Sequence, residues 1–369
     1  MKKSLIALAA LAAVTAASAQ SSVTLSGTYR FAYQKDLSVS YNSATSNKNI
    51  QQVGGSSSTD PTTPANLSVR NGQGFAVTDA NLKLAAVEDL GGGLKASFDY
   101  LMETGHFRGA VFTRADSGMG LSTPMGNFDL RNTRGSDLLA SIGSSAVNLP
   151  DGLYDNTGII GRAAIDTVTY TAPAMMGVTT SFTYLENNDG AINLAGTNAV
   201  PSNTAVYVLG AAYANGPVSI RAAYKTAPSD KTATTGLTPK SNMELAFAYD
   251  AGVAKVSYAF DGATASGSST AAASTANLSD TNLSAAENIA INNASTKAAH
   301  GLSVHVPLGA ASVGLEYYKR DIIKFMGYGV RYDFSKRTSM GFAAGTKSGL
   351  TTTAGYKGTQ YRAGLTHTF

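Results

Sequence analysis

Apolar residues recur at every second position through most of the chain that follows Gln20. In the first such run Leu25, Tyr29 and Phe31 share one face, and Arg30 lies on the other. The same alternation begins again at Leu94, Val178, Val218, Val256, Val313, Val330 and Tyr361. A period of two predicts β-strands with one apolar and one polar face, and no sustained helical period follows Gln20.

The connections between these strands alternate between short and long. The short ones carry Gly, Pro, Asn and Asp, as tight hairpins do, and cover residues 88–93, 122–126, 173–177, 214–216, 250–252, 307–310 and 335–337. The long ones cover residues 35–73, 105–110, 135–163, 187–202, 226–240, 261–299, 321–323 and 346–358, although 105–110 and 321–323 are brief. About sixteen strands of membrane-crossing length result, with both termini on one side. We therefore predict an all-β fold, a transmembrane antiparallel β-barrel with short periplasmic turns and long extracellular loops.

The side chains agree with a membrane barrel. Lipid offers no hydrogen bonds to backbone groups, so only a closed sheet without edges can cross it. Charged residues make up only 14 % of the chain, against about 25 % in an average soluble domain. Aromatic residues cluster near strand ends, for example Tyr29 and Phe31, Tyr317 and Tyr318, and Tyr361. We expect them to form the aromatic girdles found at the two membrane interfaces.

The N-terminal segment resembles an export signal. Lys2 and Lys3 precede an apolar run over residues 5–14, and Ala17 and Ala19 supply the small residues that a signal peptidase reads. We expect residues 1–19 to be a signal peptide and residues 20–369 to form the barrel domain.

Composition narrows the chemistry. The chain has no cysteine, which excludes disulfides, thiolate metal sites and a thiol nucleophile. Without Lys2 and Lys3 the formal net charge falls from +4 to about +2, so nothing in the charge balance favours a nucleic-acid partner. The four histidines show no metal-binding spacing, and a hydrolase would need one beside a nucleophile, which the sequence leaves open. We expect no cofactor and no enzymatic activity.

Several segments resemble the general porins of Gram-negative bacteria, and most of all the trimeric porins of β-proteobacteria. They are the Glu-Asp-Leu-Gly-Gly-Gly-Leu run at 88–94, the Thr-Tyr-Thr-Ala-Pro run at 169–173, the Ser-Lys-Arg-Thr turn at 335–338 and the terminal Gly-Leu-Thr-His-Thr-Phe at 364–369. The resemblance implies an outer-membrane location in a Gram-negative bacterium, contact with outer-membrane lipid and a homotrimer. It also implies that Phe369 is read by the outer-membrane assembly machinery.

A barrel of this size leaves an aqueous channel, and strand parity predicts which charges line it. The basic residues on that face are Arg30, Lys83, Lys95, Arg131, Arg221, Lys255, Arg320, Arg331 and Arg362, and the acidic ones are Asp99, Glu103, Asp129, Glu316 and Asp333. The resemblance implies an eyelet in which wall cations face an acidic third loop. The candidates are Arg30, Lys83 and Arg131 on the wall and Asp137, Asp151 and Asp155 on the loop, with Lys95 and Arg221 as further pore-lining residues.

We therefore predict passive diffusion of small hydrophilic solutes and ions with a weak preference for anions. A porin selective for one anionic solute, such as phosphate or an organic acid, is the alternative. A secreted β-rich adhesin and an outer-membrane enzyme are less favoured interpretations of the same sequence pattern. The sequence leaves open whether residues 135–163 fold into the pore.

Overall fold

The period-two segments form one closed sheet. The structure is a computed structural model that describes residues 21–35, 73–104, 112–147, 162–187, 205–228, 236–268, 293–349 and 357–369. Within these residues sixteen strands pair antiparallel around a barrel, in the order β1-β18-β17-β16-β15-β14-β12-β11-β9-β8-β7-β6-β5-β4-β3-β2. The predicted barrel and its strand number are confirmed. The predicted signal peptide, residues 1–19, lies outside the described residues.

The strands of the first half are β1 Ser22–Lys35, β2 Gln73–Gly91, β3 Leu94–Thr104, β4 Phe112–Thr123, β5 Gly126–Ser136, β6 Arg162–Thr171, β7 Val178–Asn187, β8 Ala205–Asn215 and β9 Val218–Lys225. Those of the second half are β10 Leu237–Pro239, β11 Asn242–Asp250, β12 Lys255–Asp261, β13 Ala265–Gly267, β14 Ala299–Leu308, β15 Ala311–Arg320, β16 Ile323–Asp333, β17 Thr338–Ser348 and β18 Lys357–Thr368. Among the residues so described, no helix has the length and apolar character needed to cross a membrane.

The barrel closes where the first strand meets the last. β1 and β18 pair from Thr28 opposite Thr368 to Lys35 opposite Tyr361. Beyond the ladder, Gly27 and Phe369 exchange two backbone hydrogen bonds of 3.1 Å. A Cβ atom at Gly27 would lie 2.5 Å from the Phe369 ring, so a glycine is needed for the terminal aromatic ring to lie across the seam.

The connections follow the predicted alternation of lengths, with one addition. All seven short connections are hairpin turns between consecutive barrel strands, and Gly216 and Gly309 adopt positive φ angles of 55° and 69° in two of them. The long connections 226–240 and 261–299 contain the two strands that are not part of the barrel. These strands, β10 and β13, pair with each other and link two loops on the extracellular side.

The outer surface of the barrel is apolar and aromatic, as the parity predicts. Tyr29, Phe31 and Tyr317 are all exposed on it. The expectation that Tyr318 belongs to an aromatic girdle is wrong, because this residue is 1 % exposed and points into the barrel. Neighbouring residues of a strand point to opposite faces, so Tyr317 and Tyr318 cannot both face outward.

Candidate pore-lining site

After β5 the chain turns into the barrel. Residues 137–147, here called the inward loop, begin with a short 3-10 helix, Leu138–Ile142. Leu139 is 0 % exposed and Ile142 is 5 % exposed. The part of the third loop that the structure describes therefore folds inward, which the sequence had left open.

The inward loop covers one side of the barrel interior. Its apolar residues pack in one cluster with Ala259 of β12, Tyr318 of β15 and Phe325 of β16. We call the lumen face of β11, β12 and β14 to β17 the covered wall. The hydrophobic core of this protein thus lies inside the barrel, between the loop and the covered wall.

Two buried carboxylates hold the backbone of the inward loop. The backbone N–H of Leu138 donates a hydrogen bond of 3.2 Å to Glu244 Oε2 on β11. The backbone N–H of Ser144 donates to Glu316 Oε1 on β15. Loop N–H groups that lie outside regular structure need such acceptors when water is excluded, so these carboxylates fix both ends of the covered segment.

Side-chain hydroxyls add two further anchors from β14. Ser303 donates a hydrogen bond to the backbone oxygen of Ile142. Ser144 Oγ lies 3.0 Å from Nδ1 of His305 and also accepts from the N–H of Ala146 at 3.3 Å. The Ser144 side chain is buried, so this Ser–His pair lies in the contact between loop and wall.

Glycines on the covered wall allow the loop to approach the sheet closely. A Cβ atom at Gly329 would lie 2.1 Å from the backbone oxygen of Ala146, and one at Gly314 would lie 2.2 Å from Ser144 Oγ. At Gly327 the nearest loop atom would be Cγ1 of Val147, at 2.9 Å. A glycine inside a strand often marks such a close approach.

Ion pairs lie in the covered wall itself. Asp261 of β12 is bonded by the guanidinium of Arg320 and accepts a hydrogen bond of 2.7 Å from the Asn242 amide. Glu244 is paired with Lys225 of β9. Of the two carboxylates that hold the loop, Glu244 therefore has a neighbouring cation.

The lumen face of β1 to β5, here called the open wall, carries charges that remain in contact with solvent. Asp99 of β3 is shared by two cations, Arg131 Nη2 at 2.7 Å and Lys83 Nζ at 3.4 Å. Two of the predicted wall cations therefore meet at one carboxylate. The Arg131 side chain, 34 % exposed, lies over Gly118 of β4, whose missing Cβ leaves room for the guanidinium.

Arg30, the third predicted wall cation, lies where the open wall approaches the end of the inward loop. Its Nη1 is 3.5 Å from Asp79 Oδ2, and its Nε donates to Thr366 Oγ1 at 3.1 Å. With Arg331 and Arg362 it lines a small cleft of about 60 Å³ that also contacts Ala146. We call this feature the arginine cleft. Arg331 is also paired with Asp333 at 2.7 Å. Among the described residues the three arginines share the cleft with hydroxyl groups, and no carboxylate lines it.

The remaining predicted pore-lining residues belong neither to the ion pairs around Asp99 nor to the arginine cleft. Lys95 and Arg221 have lumen parity and are exposed near the periplasmic ends of β3 and β9. Asp137 is 8 % exposed at the beginning of the 3-10 helix, whereas the resemblance implied an acidic loop residue facing the wall cations. Asp151 and Asp155 lie outside the described residues.

Other important residues were missing from the sequence-based set. Asp79, Lys225, Glu244 and Asp261 have lumen parity, and the alternation of their strands would have found them. Gly327 and Gly329 alternate with outward-facing Met326 and Tyr328, which is the signal of a backbone approach from inside.

Comparison with known proteins agrees with this architecture. The family model of Gram-negative porins matches residues 7–352 of the chain. The chain is 34 % identical to outer membrane porin protein 32 of Delftia acidovorans over 280 residues, which is 70 % of this chain and 68 % of that protein. The chain therefore belongs to the Gram-negative porin family, and it is an outer-membrane channel.

Solved structures of other porins share the fold. The anion-selective porin from Comamonas acidovorans superimposes with a TM-score of 0.59 at 19 % identity, over 95 % of this chain and 100 % of that one. A triple mutant of the Rhodopseudomonas blastica porin gives a TM-score of 0.56 at 13 % identity, over 94 % and 100 % of the two chains. The fold and the family point to a channel rather than to an enzyme.

Proposed function

We propose that the channel conducts small hydrophilic solutes and ions passively, with a weak preference for anions. The observation that carries this proposal is the arginine cleft, which three arginine side chains line beside the inward loop. Cations in a narrowed, partly desolvated pore attract anions more strongly than they would in bulk water. The similarity to the anion-selective porin from Comamonas acidovorans supports the same direction.

Several acidic groups of the lumen face are already paired with cations. Asp79, Asp99 and Asp333 each have a cation within 4 Å, and Asp99 has two. Lys95, Arg221 and Lys255 have no carboxylate within that distance among the described residues. We assign Arg30, Lys83 and Arg131 to the narrow part of the pore, together with Arg331 and Arg362. Lys95 and Arg221 belong to its periplasmic mouth.

The arginine cleft also supports the second candidate, a channel selective for one anionic solute. Arginine binds carboxylate and phosphate groups through paired hydrogen bonds, so a cluster of three could retain such a solute briefly. A retained solute would block the current of small ions in a saturable way. Titration of phosphate or an organic acid against chloride current separates the two functions, because a general pore shows no saturation.

Ion selectivity in planar lipid bilayers tests the main proposal. Under a KCl gradient we expect a reversal potential of the sign that indicates anion preference. The Arg30→Gln/Arg331→Gln double variant should bring it towards zero, and Arg131→Ala should change it in the same direction. Lys336→Gln, in the exposed periplasmic turn, serves as the control and should leave it unchanged. Cation preference in the unmodified channel, or absence of conductance, would refute the proposal.

The Ser144–His305 pair has, in this proposal, a structural role. Its hydroxyl is buried and already accepts from a loop N–H, so a substrate carbonyl could reach it only if the loop left the wall. A serine-directed phosphonate probe tests the assignment, and covalent labelling of Ser144 in the folded channel would contradict it.

We propose further that residues 1–19 are removed on export, that three chains form the native assembly and that Phe369 is recognised during insertion. Phe369 is exposed at the periplasmic end of the seam, where another protein could reach it. The mass of the detergent-extracted complex tests the trimer, and its N-terminal sequence tests the cleavage at Gln20. Deletion of Phe369 should lower the yield of folded barrel without changing the conductance of the channels that form.

A further inference from the structure

Three basic side chains lie side by side on the outer surface, near the extracellular ends of neighbouring strands. His300 of β14 pairs in register with Lys319 of β15, and Lys319 pairs with Lys324 of β16. All three are exposed and share the outward parity of apolar neighbours such as Leu302, Tyr317 and Met326. We call this set the outer basic row.

The outer basic row carries like charges without compensation from the protein. Directly opposed residues of an antiparallel pair have Cβ atoms roughly 5 Å apart, and two like charges in that position destabilise the sheet. Within the part of the chain that the structure describes, neither lysine has a carboxylate within 4 Å, including Asp321 in the adjacent turn. An anion bound from outside would remove this repulsion.

His300 can contribute a donor to such an anion. Its Nδ1 lies 2.8 Å from the Tyr258 hydroxyl, and its ring lies against Phe260 with the centroids 5.4 Å apart. When that hydroxyl donates to Nδ1, the neutral ring carries its proton on Nε2. The row would then present two ammonium groups and one N–H group to the same ligand.

The depth of the row in the membrane identifies the ligand class. At about 3.4 Å per residue and a strand tilt near 40°, the outward face of β16 from Tyr332 to Lys324 rises roughly 20 Å along the membrane normal. The apolar band of such barrels is about 25 Å tall, so Lys324 lies at its extracellular border. β15 ends at Arg320 and β16 begins at Ile323, so this connection is too short to fold over the row.

We propose that the outer basic row binds the phosphorylated headgroup of a lipid in the outer leaflet. The acyl chains of that lipid would lie on the apolar wall below, over Leu302, Tyr317 and Met326. Lysines at a membrane border attract anionic headgroups, and the apolar wall beside them suits the chains of the same molecule. This site is outside the barrel and does not depend on the ion selectivity proposed for the pore.

The absence of tryptophan allows a sharp test, because a single introduced tryptophan is a unique fluorescent reporter. Met326→Trp places the reporter beside the row, and Leu209→Trp places it on the outer wall of β8 as a control. Each full-length channel is reconstituted in phosphatidylcholine vesicles with increasing fractions of brominated phosphatidic acid or of brominated phosphatidylcholine. Bromine quenches only a tryptophan that it contacts.

We expect phosphatidic acid to be preferred at the Met326 reporter by about fivefold or more, given the effect of two lysines on anionic lipid binding. At the Leu209 reporter the ratio should be close to one. Lys319→Gln/Lys324→Gln should abolish the preference at Met326, whereas Lys336→Gln should preserve it. Equal quenching by both lipids at Met326, or a preference that survives the double substitution, would overturn the proposal. Protection of the Met326 reporter from both lipids would also overturn it and would indicate a contact with a second copy of the chain.

Discussion

The covered wall and the open wall contain the same type of ion pair, but the pair has a different role on each wall. On the covered wall the Arg320–Asp261 pair has side chains that are 6 % and 3 % exposed. On the open wall the corresponding values for Arg131 and Asp99 are 34 % and 18 %. An arginine–aspartate contact therefore predicts no function until its exposure is known.

The inward loop causes this difference. Where it lies on the wall it excludes water, so that each buried charge must have a partner and the pair becomes part of the folded structure. Where the loop is absent, solvent partly screens the ion pair. The electric field of the charged side chains then acts on ions in the lumen. The covered wall therefore determines the position of the loop, and the open wall together with the arginine cleft contributes to selectivity.

The largest effect is expected from breaking the buried pair. Asp261→Ala should leave Arg320 uncompensated and the Asn242 amide without its acceptor, at a cost of about 3–5 kcal/mol in the free energy of unfolding. Asp99→Ala, the counterpart on the open wall, should cost roughly 1 kcal/mol or less. Denaturant unfolding in detergent, followed by circular dichroism, measures both. Similar losses in the two variants would show that the walls do not differ in this way.

Displacement of the loop without loss of any polar group should have the next largest effect. Gly329→Ala places a Cβ atom 2.1 Å from the backbone oxygen of Ala146. Because a backbone oxygen cannot rotate away, we expect the loop to shift, with about 1–3 kcal/mol lost to overpacking. The single-channel conductance should change, and the open-channel noise should increase.

Gly210→Ala is the control for this substitution. Gly210 lies on β8, away from the covered wall, and its added Cβ would meet the Ser181 hydroxyl at 2.5 Å, on a side chain that can rotate away. Its conductance should match that of the unmodified channel. If both glycine variants behave alike, the effect arises in the sheet and not in the loop.

The difference between the two walls also shows how much of the structure could be predicted from the sequence. Period-two alternation determines which way a strand residue points, so the lumen parity of Arg30 and Arg131 could be predicted from their neighbours alone. The same rule places Tyr318 on the lumen face, opposite to Tyr317, whereas closeness in the sequence alone suggests that the two share a face. The hairpin turns follow equally directly from local residues such as Gly216 and Gly309.

The path of the inward loop could not be predicted in this way. Its direction depends on contacts between residues far apart in the chain, such as Ser144 with Glu316 and Leu138 with Glu244. The apolar residues of the 3-10 helix were a local signal that this loop is buried. Which wall it covers depends on the closed barrel, which no local pattern encodes.

A smaller effect is expected when one loop anchor is weakened but not removed. Glu316→Gln keeps an oxygen that can accept from the Ser144 N–H but loses the charge, and charge-assisted hydrogen bonds are stronger than neutral ones. We expect a loss of about 1 kcal/mol in the free energy of unfolding and a moderate increase in open-channel noise. Asp129→Asn, which neutralises a carboxylate on the open wall, should leave the noise unchanged. Equal noise in both variants would show that Glu316 does not hold the loop.

The smallest change in stability should accompany a clear change in selectivity on the open wall. Asp99→Asn removes the carboxylate shared by Lys83 and Arg131 and should cost less than about 1 kcal/mol, because the group is partly solvated. The two cations it leaves behind then lose the carboxylate that contacts both of them, so anion preference should increase. The reversal potential under a KCl gradient should move in the direction opposite to that caused by Arg131→Ala. If Asp99→Asn instead leaves the anion preference unchanged, these cations do not act on passing ions, and selectivity must arise at the arginine cleft alone.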